Sequence, residues 1–130
     1  MIFIDSDCII DFLKGKENAR KAVEKHETEL ATSHINVFEI FFGIYNKRNV
    51  DEKEVILADN FFNSLGVFPF DNKCGRISAK ILSGLMKEGN PINQNDCFIA
   101  SIMIKNGISS IISNNKKHFS KIKGIKVMTY

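Results

Sequence analysis

The N-terminal stretch Met1-Ile2-Phe3-Ile4-Asp5-Ser6-Asp7 decides the fold. Ile2, Phe3 and Ile4 are β-branched or aromatic, and such residues favour a buried strand. Asp5 and Ser6 follow at once, and both residue types are preferred at the N-terminus of a helix. The stretch therefore predicts a strand that ends at Asp5 and leads directly into a helix that continues over residues 8–13.

The rest of the chain repeats this alternation of short apolar strands and longer helices. Pro69 favours an edge position for the third strand, because proline cannot donate a hydrogen bond to a neighbouring strand. The strands predicted after the first are residues 30–33, 66–71, 108–113 and 125–128, and the main helices predicted are residues 17–27, 37–45, 52–64, 72–87 and 97–105.

This order of elements predicts an α/β fold, a three-layer α/β/α sandwich around a central, mostly parallel sheet. We expect residues 1–130 to form a single domain, because the length is typical of one domain and no repeat or linker interrupts the chain. Apolar residues make up 44% of the sequence, which is enough for a substantial core.

The composition also excludes several classes of protein. The three cysteines are far apart and form no CxxC pair, which argues against a disulfide framework and a structural zinc site. No basic leader and no apolar run long enough for a bilayer are visible, so we expect a cytoplasmic protein without a membrane segment. The net charge of +3 permits an anionic partner without requiring one.

Two acidic residues lie near the carboxyl ends of predicted strands, where open parallel sheets usually have their active sites. Asp5 ends the first predicted strand, and Asp96 starts the helix that leads into the fourth. Ser113 to Asn115 end that fourth strand. Asp5 and Asp96 also fit simple helix caps, since aspartate is a preferred cap.

Glu39 is the least expected acidic residue, because residues 37–42 around it are otherwise apolar. Burying an unpaired carboxylate is costly, so Glu39 requires a metal ion, another cation, a raised pKa or access to a cleft. The alternative is a position at the edge of its helix, where Glu39 reaches water. We expect Asp7 and Asp11 to belong to the polar face and positive end of the first helix.

Carboxylates gathered at one site repel each other and favour a hard divalent cation. Mg²⁺ or Mn²⁺ suits such an all-oxygen site, with water completing the coordination. These ions activate water and stabilise the oxygens of a phosphodiester during hydrolysis. Asp5, Glu39 and Asp96 together therefore predict metal-dependent chemistry.

Four segments that follow one another over nearly the whole chain carry a family resemblance. They are Phe3-Ile4-Asp5-Ser6-Asp7 with Ile9-Ile10, Phe38-Glu39-Ile40-Phe41-Phe42-Gly43, Asn95-Asp96-Cys97-Phe98-Ile99-Ala100-Ser101, and Ile112-Ser113-Asn114-Asn115-Lys116-Lys117-His118-Phe119 with Gly124 and Val127 beyond. In this order and at these separations they resemble the PIN-domain family, specifically the VapC-type toxins of prokaryotic toxin–antitoxin systems.

The resemblance implies an endoribonuclease that uses Mg²⁺ or Mn²⁺ to cleave RNA, forms a homodimer and is inhibited by a cognate antitoxin. By motif, Asp5, Glu39 and Asp96 correspond to the family's catalytic, metal-binding acids. Phe41, Phe42 and Tyr45 fit either contact with a partner chain or packing in the core.

The same resemblance assigns site-orienting roles to Ser6 and Ser113 and a metal-binding role to Asn115. The family often has aspartate where this chain has Asn115. Asparagine can bind a metal through its carbonyl oxygen but brings no charge, so a second ion should be held more weakly.

A group of lysines near the C-terminus has two interpretations. It forms either a phosphate-contacting rim beside the acids or an ordinary solvated surface. We call this group the lysine rim; it consists of Lys116, Lys117, Lys121, Lys123 and Lys126.

Two other functions compete with the ribonuclease. In a haloacid-dehalogenase-type phosphatase, Asp5 would be the nucleophile and Asp7 the acid, but the later paired aspartates of that family are missing and Glu39 is left unexplained. A PIN-like module that binds RNA or protein without cleavage is favoured by Asn115, which replaces an acid.

Overall fold

The structure is a computed structural model that describes all residues from 1 to 130. Five strands alternate with seven helices. The elements are β1 (Ile2–Ile4), α1 (Ser6–Leu13), α2 (Glu17–His26), β2 (Leu30–Ser33), α3 (His34–Tyr45), α4 (Glu52–Asn63), β3 (Gly66–Phe68), α5 (Asn72–Lys87), α6 (Gln94–Lys105), β4 (Ser110–Ile112), α7 (Lys116–Phe119) and β5 (Lys126–Met128).

All strands form one sheet in the order β3-β2-β1-β4-β5, and every neighbouring pair is parallel. The prediction of a mostly parallel sheet is confirmed. β3 is an edge strand, as Pro69 predicted, and the strand ends at Phe68, the residue before the proline. The strand is shorter than predicted, because the residues from Pro69 onward do not pair with β2.

Helices cover both faces of the sheet, which confirms the three-layer sandwich. Phe3 and Ile4 show how the layers arise, since successive strand residues point to opposite faces. Phe3 packs with the buried residues of α5, α6 and α7. Ile4 packs on the other face with those of α1, α2, α3 and α4.

Two helices begin earlier than the sequence predicted, because a polar residue caps each of them. Ser33 accepts a hydrogen bond from the backbone of Asn36, so α3 begins at His34. Asn93 accepts one from the backbone of Asn95, so α6 begins at Gln94. Asp96 therefore lies inside the first turn of α6 and does not cap it.

The strand order indicates where a functional site should lie. From β1 the chain proceeds through β2 to β3 on one side and then crosses to β4 on the other. The carboxyl ends of β1 and β4 thus flank the point where the direction of winding reverses, and ligands of open α/β sheets bind outside such a point. None of the helices combines the length and apolar character needed to cross a membrane.

Candidate functional site

Asp5 is the most buried acid at this edge of the sheet and directly follows β1. It is 5% exposed, and its side chain makes no capping hydrogen bond to α1. Its Oδ2 instead accepts from Ser113 Oγ at 2.8 Å, and its Oδ1 accepts from Asn36 Nδ2 at 3.3 Å. Burial, followed by the charge of Asp7, raises the pKa of Asp5 to about 7. Asp5 therefore occupies the N-cap position of α1 without capping the helix through its side chain.

Asp7 belongs to the same site, although the sequence had assigned it to the polar face of the first helix. Its Oδ2 accepts from the Asn114 backbone at 2.8 Å and from Ser113 Oγ at 3.3 Å. Burial is the main cause that raises its pKa. Side chains of a helix point back toward its N-terminus, so an acid in the first turn of α1 faces the end of β1. This direction is a signal that sequence reasoning could have used.

Glu39 joins the other acids from α3. It is not enclosed by apolar side chains, as the sequence suggested. Its apolar neighbours do not surround it: Phe38 and Phe42 are 60% and 56% exposed, because the buried face of α3 runs through Ile40 and Ile44. Glu39 itself is half-buried at the boundary of that face. The alternative of a position at a helix edge was therefore closer to the observed environment.

The polar contacts of Glu39 turn it toward the other acids. Its Oε1 accepts from Ser6 Oγ at 2.8 Å, and its Oε2 lies 3.5 Å from Asn95 Nδ2. Burial raises its pKa first, and the charges of Asp96 and Asp7 raise it further.

Asp96 approaches from the opposite side, in the first turn of α6, and is 8% exposed. Its Oδ2 accepts from Asn115 Nδ2 at 3.0 Å and lies 2.5 Å from His118 Nδ1. Asn115 thus contacts the site through its amide nitrogen. The prediction that it binds metal through its carbonyl oxygen stays a prediction.

Two serines and one asparagine link these acids. Ser113 Oγ shares its one hydroxyl proton between Asp5, the nearer acceptor, and Asp7, and it accepts from the Asn115 backbone at 3.0 Å. Ser6 Oγ donates to Glu39 and accepts from Asn36 Nδ2 at 2.9 Å.

The sequence did not predict site contacts for Asn36, Asn95 or His118. Asn36 is completely buried, and it precedes Ile40 and Ile44 on one stripe of α3 by steps of four residues. A polar residue on the buried stripe of an apolar helix was the available signal. The sequence carried no comparable signal for the pairing of His118 with Asp96, which depends on how α7 docks on α6.

We call Asp5, Asp7, Glu39 and Asp96 the acidic site. No lysine or arginine forms an ion pair with any of its members, and only His118 lies within ion-pair distance of one. The raised pKa values of Asp5, Asp7 and Glu39 indicate that their negative charges are poorly compensated. Electrostatically, the site would attract a cation.

The donor set fits a hard divalent ion that retains water. No three acidic, histidine or cysteine side chains converge closely enough to hold an ion by themselves. Mg²⁺ usually binds one or two carboxylates and keeps several of its waters. The acidic site supplies carboxylate oxygens only, without a thiolate, so it suits Mg²⁺ or Mn²⁺ better than zinc.

The family model for the PIN domain matches residues 2–125. The chain belongs to the PIN-domain family. The predicted resemblance is therefore confirmed, and the phosphatase interpretation of Asp5 and Asp7 is set aside.

Named relatives place this PIN-domain chain among the VapC proteins. Ribonuclease VapC3 of Methanocaldococcus jannaschii is 31% identical over 99 residues, which cover 76% of this chain and 94% of the relative. Ribonuclease VapC1 of Rickettsia felis is 28% identical over 130 residues, which cover 98% of this chain and 95% of that one.

Solved structures share the PIN-domain fold over the full length. The crystal structure of VapBC2 from Rickettsia felis bound to a promoter DNA fragment superposes with a TM-score of 0.87 at 22% identity, covering 100% of this chain and 99% of that chain. The DNA-bound VapBC of Salmonella typhimurium gives the same TM-score at 23% identity, covering 99% and 98%. These likenesses support the fold.

Proposed function

We propose that this PIN-domain protein is a divalent-metal-dependent endoribonuclease and the toxin of a type II toxin–antitoxin pair. The observation that carries the proposal is the acidic site, where four carboxylates meet at the switch point of the sheet without a lysine or arginine partner. RNA as the substrate is supported by relatives that are named ribonucleases VapC.

In this proposal Asp5, Glu39, Asp96 and Asn115 line the site of Mg²⁺ or Mn²⁺, and the ion keeps part of its water shell between itself and these side chains. When bound, such an ion lowers the pKa of a water molecule and stabilises the charge that develops on a phosphodiester. Ser113 and Asn36 keep the Asp5 carboxylate in one orientation, and Ser6 does the same for Glu39. These serines thereby act as site-orienting residues.

Glu39 is the acid best suited to move a proton. Its Oε2 is held only by the long contact to Asn95. Its pKa is raised and therefore lies closer to neutral pH than that of an ordinary glutamate. A carboxylate with such a pKa accepts a proton from water more effectively than an ordinary one. We assign Glu39 Oε2 the proton of the attacking water.

The lysine rim lies beside the acidic site in the chain, since Lys116 and Lys117 follow Asn115 directly. None of its lysines forms an ion pair, so their charges are free to meet phosphates. Acids that hold the metal and lysines that hold the backbone would together position an RNA strand for cleavage.

An antitoxin and a second copy of the chain are the proposed protein partners. Phe38, Phe42 and Tyr45 expose more than half of their surface on α3, beside Glu39. Exposed aromatic side chains of this kind mark protein interfaces. A solved structure of similar fold is named a toxin–antitoxin complex from Klebsiella pneumoniae, which supports an antitoxin. We retain a cytoplasmic location and a single domain as parts of the proposal.

Cleavage of RNA by the purified chain tests the proposed function. We expect Mg²⁺ or Mn²⁺ to start the cleavage of a mixed RNA substrate, EDTA to stop it and fresh metal to restore it. The double variant Asp51→Asn/Asp59→Asn, which lies outside the acidic site, should cleave like the wild type. RNA binding without metal-stimulated cleavage would identify a PIN-like binding module instead.

Replacing lysines of the rim should weaken RNA binding and its dependence on salt. We expect Lys116→Ala/Lys117→Ala/Lys123→Ala to reduce the slope of log affinity against log salt concentration by about 0.7 for each phosphate that the variant no longer neutralises. The measurement is fluorescence anisotropy with a single-stranded RNA at several salt concentrations.

The matched control for the lysine rim is Lys25→Ala/Lys53→Ala/Lys80→Ala, which removes the same charge from exposed lysines without ion pairs. An equal change of slope in both triple variants would show that only net charge matters. The lysine rim would then be an ordinary solvated surface.

A further inference from the structure

Asp96 differs from the other three acids in how its two oxygens are held. Its Oδ2 receives both of its hydrogen bonds, from His118 Nδ1 at 2.5 Å and from Asn115 Nδ2 at 3.0 Å, and its Oδ1 receives none. Each of the other acids accepts a hydrogen bond on both carboxylate oxygens. Asp96 Oδ1 is therefore the freest carboxylate oxygen of the acidic site.

This oxygen is in contact with solvent. No side-chain oxygen or nitrogen of the protein is buried without a hydrogen-bond partner, so Asp96 Oδ1 must be accessible to solvent. The charge of Asp96 raises the pKa of both Asp5 and Glu39, so its carboxylate lies near enough to act on both. Asp96 thus turns one oxygen toward α7 and leaves the other for a ligand.

His118 is well placed to maintain this orientation. The next residue in α7, Phe119, is completely buried and packs in the same core as α6, which fixes α7 against the helix that carries Asp96. The His118 side chain is 27% exposed and is the only basic side chain within ion-pair distance of the acidic site. A carboxylate only accepts hydrogen bonds, so Nδ1 of His118 must carry the proton.

We propose that His118 is a positioning residue that, together with Asn115, holds Asp96 Oδ2 and so presents Oδ1 to the divalent ion. The inference rests on the metal site of the proposed function. Groups that hydrogen-bond to a metal ligand fix its orientation, and their loss typically weakens metal binding 10- to 100-fold. His118 is assigned no contact with the ion or the RNA.

The test compares three substitutions of His118 that differ in whether and where they place a hydrogen-bond donor. Asparagine carries its amide nitrogen on Cγ, as histidine carries Nδ1, whereas glutamine carries it one bond further out. We expect His118→Ala and His118→Gln to weaken Mn²⁺ binding about tenfold or more, and His118→Asn to stay close to the wild type. Free Mn²⁺ is measured by electron paramagnetic resonance during titration of the full chain, and the signal of bound Mn²⁺ is compared.

Controls separate this role from a merely structural one. His34→Ala removes an exposed histidine without polar contacts, and it should bind Mn²⁺ like the wild type. Thermal unfolding of each metal-free variant shows whether it is folded. Wild-type affinity in His118→Ala, or equal losses in His118→Asn and His118→Gln, would overturn the proposal. If the wild-type protein itself bound no Mn²⁺, the metal site of the proposed function would fail with it, which is a distinguishable result.

Discussion

The Asp5→Asn protein is expected to cleave RNA about a hundredfold more slowly than the wild type, or not at all. A bound divalent ion contributes several kcal/mol to a phosphodiester transition state, and each 1.4 kcal/mol corresponds to a factor of ten in rate. Asp5 is the most buried of the four acids and is held on both oxygens, so no neighbour can replace its charge. The measurement is the single-turnover cleavage rate at saturating Mn²⁺.

The substitution is nearly isosteric, so loss of rate should not come from loss of fold. An asparagine at position 5 can still accept from Ser113 through its carbonyl oxygen, and only the long hydrogen bond from Asn36 is lost, because the new amide nitrogen cannot accept it. Asp59→Asn, the same change at an exposed aspartate without an ion pair, is the matched control and should retain the wild-type rate. Cleavage by Asp5→Asn at more than a tenth of the wild-type rate would remove Asp5 from the metal site.

The sequence predicted the parts of this molecule that local patterns determine. Short β-branched runs and the caps that follow them gave the parallel sheet, and the sheet alone places Asp5 and Ser113 side by side. Those two residues lie at the ends of neighbouring strands, where parallel pairing fixes their separation. No knowledge of helix packing was needed for this part of the site.

The site contacts that the sequence did not predict depend on how the helices are oriented. Asn36 and His118 reach the acids only because α3 and α7 dock on the sheet and on α6 with particular faces turned inward. Sequence periodicity predicts which stripe of a helix is buried, but not which neighbour that stripe meets. For Glu39 the sequence did not indicate which face of α3 is buried, because α3 has more apolar residues than the core covers.

The folded protein without metal should lose stability as the pH rises from about 5 to 8. Burial raises the pKa of Asp5 from 3.8 to about 7, so between these values the folded protein keeps a proton that the unfolded chain has released. Raising the pH therefore favours unfolding, and the loss levels off above about pH 8, where Asp5 is ionised in both states. About two pH units of this range lie below the folded-state pKa, which corresponds to a few kcal/mol at about 1.4 kcal/mol each.

Asp7 and Glu39 add to this effect in the same direction, because burial raises their pKa values as well. Acids with lowered pKa values, such as Asp71 and Asp11, change their charge below about pH 4 and do not alter the trend in this window. Urea unfolding at a series of pH values in EDTA measures the dependence.

Asp5→Asn gives this prediction its decisive comparison, because the substitution removes the titrating group and keeps its shape. At pH 8 without metal, the inactive variant should be more stable than the wild type by a few kcal/mol. Added Mn²⁺ should stabilise the wild type strongly and the variant weakly, since an ion stabilises only the state that binds it. A wild-type stability that is flat between pH 5 and 8, or an Asp5→Asn protein no more stable at pH 8, would mean that the folded state bears the Asp5 charge at little cost. In that case the acidic site would not need an ion to compensate its negative charge.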